Sequence, residues 1–163
     1  MVAMAAEPAS LPRSLEEVLD FPLPQVEARL RMEHGSSPEE AALLVGELKR
    51  WLYACARSPE PLTIVPELIP IDRAWHCFIL FTRDYEAFCS QLLGKFIHHD
   101  PLAESERARF AELRSRDPSE ALRQRQASLR PQLEFIGGLL GPGILKRWYQ
   151  DLPARFHFND HLP

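Results

Sequence analysis

The chain predicts an all-α protein, a compact single-domain helical bundle with proline-rich connections. Two observations carry that prediction. Apolar residues recur at three-and-four spacing rather than alternating, which is the period of a helix and not of a strand. Fifteen prolines divide the sequence into segments of helical length. With 163 residues and 45% apolar content there is material for one sizeable core. Residues 13–156 are expected to hold it, between a flexible N-terminus at 1–12 and a tail at 157–163.

The elements follow in order. Ser14-Leu15-Glu16-Glu17 fits a capping box that opens a short helix, which Pro22 and Pro24 stop. Gln25 to His34 forms the next, closed by Gly35. Ser37-Pro38-Glu39-Glu40 is the clearest start in the chain: a serine cap, a proline at the first helical position and two carboxylates at the positive end of the dipole. The stripe Ala42, Leu43, Leu44, Leu48, Trp51, Leu52 and Cys55 then predicts a helix over 38–57 that walls the core. Ser58 to Pro70 reads as a connection, with Leu62-Thr63-Ile64-Val65 as an extended strip too isolated to build a sheet. A helix is expected to open at Asp72, with Asp72 as its cap, and a second at Thr82-Arg83-Asp84, running to Gly94.

Beyond the middle of the chain, Leu102 to Arg116 and Pro118 to Leu129 read as charged helices. Seven arginines and five acids mix along residues 103–130, the composition of a solvated face. Pro131 is expected to break or kink the pattern. Gly137 to Gly143 should form a flexible turn before a last helix at Leu145 to Leu152. That glycine cluster lacks the Gly-Lys-Ser/Thr ending and the preceding strand of a phosphate loop.

Charge and cysteine content narrow the function classes. A formal charge of -4 exerts no pull on phosphate backbones or anionic lipid, so neither nucleic acid nor membrane is expected as a partner. The first residues lack the basic region and apolar run of a signal peptide, and no segment reaches the ~18 apolar residues of a membrane span. Cys55, Cys77 and Cys89 are odd in number and irregular in spacing, which points to reduced thiols and a cytoplasmic protein.

The richest stretch is Ile71 to Pro101. It gathers three of the six histidines and two of the three cysteines among tryptophan, tyrosine and phenylalanine. Asp72 and His76, four apart, share one helix face, where a carboxylate and an imidazole hydrogen-bond or share a metal. A straight helix over 72–93 would hold His76 and Cys89 about 20 Å apart. A break near Thr82 would instead fold the two segments together. His98 and His99 lie in an extended segment in which only one faces inward.

Two arrangements use these residues. The first is a structural cluster of Asp72, Trp75, His76, Thr82, Tyr85, Cys89, His98 and His99, mostly buried. The second is a zinc site of His76, Cys89 and His98 or His99, with Asp72 or water as the fourth ligand; its donor types suit zinc, but it lacks a Cys-x-x-Cys or His-x-x-x-His spacing. Cys89 as a thiol nucleophile is disfavoured by its apolar neighbours. Cys77 reads as a small core residue, and His157 and His161 as tail residues.

At Asp72, Trp75-His76, the Phe78-to-Thr82 run, Tyr85, Phe88-Cys89, Gly94, Phe96 and His98-His99 with Pro101, the chain resembles the glycine-rich domain-containing-protein-like family. Gly141, Pro142 and Trp148 match more loosely. The resemblance spans about a fifth of the chain, and with seven glycines the sequence has no glycine-rich tail. It implies no catalytic activity. The expectation is a helical binding or interaction module whose partner is another protein; the alternative is a zinc-binding protein or metal-dependent hydrolase using His76 and a neighbouring histidine.

Overall fold

A computed structural model describes residues 12–100 and 104–156. The protein is all-α, and no strand occurs among the described residues. The described residues group into two units, one within residues 1–97 and 146–163 and the other within residues 98–145.

The first unit opens with α1 (Leu15–Asp20) and α2 (Pro24–His34). In α1 the Ser14 hydroxyl accepts from the Glu17 N–H at 3.2 Å while the Glu17 carboxylate accepts from the Ser14 N–H at 2.9 Å, the reciprocal capping box that the sequence predicts. Helix α2 closes on Gly35 in the left-handed conformation, φ 65°, which a residue with a Cβ resists.

Helix α3 (Pro38–Arg57) is the centre of this unit, packing against α1, α2 and α4 (Ile69–Ile79). Ser37 and Glu40 repeat the capping box. The buried face differs from the predicted stripe: Ala41 is fully buried and Ala42 exposed, and Val45 joins Leu44, Leu48, Trp51 and Leu52 in the core. Because α3 is covered on several sides, Glu47 and Lys49 are buried too. Lys49 donates from Nζ to the Leu19 carbonyl at 2.8 Å, placing a cation on the C-terminal turn of α1, which has no basic residue of its own. Residues 61–65 form no regular structure, and Val65 is extended and buried, in keeping with a connecting strip.

A 3-10 turn (Pro66–Leu68) leads directly into α4. The helix therefore opens at Ile69, not Asp72. Leu68 occupies the cap position and supplies no side-chain bond, while Pro70 and Asp72 both fall in the first turn. The reason is tertiary: Leu68, Pro70 and Ile71 are all buried, and their packing draws the helix start upstream of the residue best suited to cap it.

Helix α4 ends at Ile79, and α5 (Thr82–Phe88) starts after Leu80 and Phe81. The expected break is present. Helix α5 widens into a π-turn (Cys89–Leu93), whose closing bond runs from the Gly94 N–H to the Cys89 carbonyl at 2.9 Å, with Gly94 at φ 78°. At its far end the unit includes a second π-turn (Arg147–Asp151) and α9 (Leu152–Arg155). The predicted helix from Leu145 to Leu152 is thus divided by a five-residue change of pitch.

The second unit holds α6 (Glu104–Arg116) and α7 (Pro118–Leu140), which pack on each other, and most of α8 (Pro142–Lys146). Asp117 caps α7 by accepting from the Glu120 N–H at 2.9 Å. Contrary to expectation, α7 continues through Pro131 and through Gly137 and Gly138, stopping only at Gly141, φ 89°. A proline removes one backbone bond, and the neighbouring turns of a long helix carry the rest. The glycine-rich turn is therefore confined to Gly141. No residue of α6 is buried, as its mixed charge predicts. His157 and His161 lie outside the described residues.

Candidate functional site

The bend between α4 and α5 brings Trp75 and Tyr85 together. The Trp75 Nε1–H donates to the Tyr85 hydroxyl at 2.9 Å, and that hydroxyl donates to the Ile97 carbonyl at 2.6 Å. All three residues are buried. Phe78 meets the Tyr85 ring edge-on at 5.1 Å and Phe88 at 5.4 Å, and Phe96 closes on the other side of Tyr85 at 5.3 Å. One hydroxyl thus joins two helices to the segment after Gly94, and each polar atom of the chain is satisfied inside an aromatic box.

Cys89 lies beside the Tyr85 hydroxyl within this box. Burial raises the Cys89 thiol above its ordinary range, and burial followed by the neighbouring Cys89 raises the Tyr85 phenol. Both groups are held neutral near pH 7.

The remaining predicted residues are less buried. The His76 side chain is 60% exposed, with its Nε2 3.8 Å from Asp72 Oδ2. Thr82 is exposed. His98 is exposed and His99 half-buried, and both fall in the second unit. Cys89 belongs to no group of three or more clustered metal-ligating side chains among the described residues. Of the eight residues, Trp75, Tyr85 and Cys89 are buried, Asp72 and His99 half-buried, and His76, Thr82 and His98 exposed. The reason is the helical period: Trp75 and Cys77 turn inward on α4, so His76 between them turns out.

Two polar sites went unread in the sequence. Glu47, fully buried on α3, accepts from Trp148 Nε1 at 2.7 Å, from Arg147 at 3.0 Å and from Arg50 at 3.3 Å. Trp148 in turn packs edge-on against Trp51 at 5.8 Å. An open cleft above this carboxylate is lined by Leu19, Leu43, Gly46, Arg50 and Arg147. Glu47 and Trp148 are 101 positions apart, and no local pattern pairs them; the one available signal was a glutamate next to Leu48 of the predicted apolar stripe. The second site joins α2 to α4: the Cys77 thiol donates to Glu33 Oε2 at 3.9 Å, and Arg29 is ion-paired with Glu33 Oε1. Burial and then the Glu33 charge push the Cys77 thiol up to about 11, and burial and then Arg73 lower His34 next to it.

Fold and site together define an all-α protein built on a buried aromatic-hydroxyl lock, with no helix among the described residues long and apolar enough to cross a membrane. The chain belongs to the UCP032817-like family, an uncharacterised one, whose model matches residues 14–128. That match replaces the resemblance to the glycine-rich domain-containing-protein-like family. The residues behind that resemblance are largely the core aromatics and helix boundaries of α4 and α5, whereas the match also takes in α1, α2 and α3. No curated protein and no solved structure matches the chain.

Proposed function

We propose that this is a helical protein-binding module, in which the Trp75–Tyr85–Ile97 lock is a rigid frame and the cleft over Glu47 is the contact surface. The observation that carries the reading is the buried Glu47 carboxylate, which fixes the guanidinium groups of Arg50 and Arg147 at the edge of an apolar depression. Two cations against one carboxylate leave a positive excess beside Leu19 and Leu43. That combination suits a partner segment bearing a carboxylate next to an apolar side chain. The three free thiols support a reducing compartment, and the cytoplasm is proposed on that ground.

The test is an NMR titration of the full chain with a short peptide carrying two glutamates around a leucine. Saturable shifts at Leu43, Gly46 and the Arg50 and Arg147 side-chain N–H groups, lost in Arg147→Glu, are the expected result. Shifts elsewhere, or none, would overturn the reading.

A second reading, a zinc protein or metal-dependent hydrolase using His76 and a neighbouring histidine, draws support from the exposed His76 imidazole 3.8 Å from Asp72. Stoichiometric zinc in protein purified without a histidine tag, lost in His76→Ala, would sustain it. Zinc-free protein would count against it.

A further inference from the structure

We propose that Glu33, His34 and Cys77 form a binding site for a zinc-class divalent cation, bridging the last turn of α2 to the last turn of α4. The site is independent of the cleft over Glu47, and it uses different residues from the His76 reading.

The geometry is the main argument. One carboxylate oxygen, one imidazole nitrogen and the thiol sulfur all lie within 4.8 Å of one another. Around a tetrahedral zinc such donors sit roughly 3.3–3.6 Å apart, as bond lengths near 2.0–2.3 Å require. Closing that gap takes small side-chain rotations, and two of the three donors sit on side chains that are not buried. Glu33 is exposed and His34 half-buried, while Cys77 is held at 2% exposure as the fixed point.

The surroundings favour the same assignment. Arg29 holds Glu33 Oε1, which leaves Oε2 turned toward the sulfur as a single-oxygen ligand. His34 is the last residue of α2, at the helix end where partial negative charge favours a cation. The mixture of sulfur, nitrogen and oxygen suits zinc, cobalt or cadmium over the hard ions magnesium and calcium, which take oxygen alone. Three protein ligands leave a fourth position for water on the exposed side. Arg29 from α2 and Arg73 and His76 from α4 are the nearby groups that oppose a cation electrostatically. The thiolate and carboxylate supply two negative charges against them.

Binding is a ligand exchange without redox change. The metal–sulfur bond forms as the Cys77 S–H bond breaks, and that proton goes to the buffer.

The experiment is titration of the untagged full chain with cobalt(II), followed by competition with zinc. Expected are one equivalent per chain, a thiolate-to-cobalt charge-transfer band, and displacement of that band by zinc. Cys77→Ser should abolish the band. Glu33→Gln and His34→Gln, which alter accessible side chains and leave the core intact, should each weaken cobalt binding by at least the ~10–100-fold that loss of an outer-sphere partner costs. His76→Ala should leave the band unchanged. Absence of the band in the wild type, its persistence in Cys77→Ser, or wild-type affinity in both Glu33→Gln and His34→Gln would overturn the site. A band lost in His76→Ala but kept in His34→Gln would overturn it in favour of the other imidazole.

Discussion

At the scale of single residues, the Tyr85 hydroxyl is the group on which most depends. It accepts from Trp75 Nε1 and donates to the Ile97 carbonyl, so its removal orphans a buried donor and a buried acceptor at once. Tyr85→Phe keeps the ring and its edge-on contacts. It is expected to lower the unfolding free energy by about 1–3 kcal/mol, the cost of buried polar groups left unsatisfied. Urea denaturation with an unchanged m-value would register that loss as a shift of midpoint. A shift too small to resolve would mean that the hydroxyl does not hold the segment. Trp75 and Tyr85 were legible in sequence as candidates for one neighbourhood. Glu47 was not, because its meaning depends on Trp148 and Arg147 arriving from the far end of the chain.

At the scale of elements, helix starts with a side-chain cap were the most readable features. Ser14 and Ser37 both cap as predicted, and each forms a box with the glutamate three positions on, although the sequence predicts a box only at Ser14; the partners are local and need no tertiary help. Glu17 carries a pH consequence. The Ser14 backbone N–H and hydroxyl hold its carboxyl below the usual carboxylate range, helped by Arg13. A folded-state value lower than the unfolded one means stability that is present above the ordinary carboxylate value and is lost as pH falls through the lowered one. In Glu17→Gln that part of the acid limb should flatten; far-UV circular dichroism from pH 6 down to pH 2 is the measurement, and identical acid limbs would refute it. The misread elements share another cause. Asp72, Pro131 and the Gly137–Gly138 pair each carry a strong local signal, and packing or the length of a helix overrode it.

Across the whole molecule the three thiols report on burial. Desolvation pushes Cys55 up to about 12 and Cys77 up to about 11, and it raises Cys89 as well. Only the thiolate reacts, so at pH 8 the native protein presents roughly a thousandth or less of Cys55 and Cys77 in reactive form. An aromatic disulfide reagent should therefore label the native chain slowly, faster as pH rises, and should count three thiols at once in guanidinium. One rapid equivalent under native conditions would contradict the placement of these side chains. Zinc should slow Cys77 further if it holds the ion.

What the sequence determined by itself was the helical class, the capped starts of α1 and α3, the glycine stops at Gly35 and Gly94, and the bend before Thr82. Each rests on interactions within a few residues, where spacing and side-chain chemistry are enough. Tertiary structure alone decided which polar groups meet. It put His76 outside, brought Cys77 to Glu33 across two helices, and buried Glu47 against Trp148. Those pairings depend on the rotation of each helix about its axis, and one residue of rotation, about 100°, exchanges an inward side chain for an outward one.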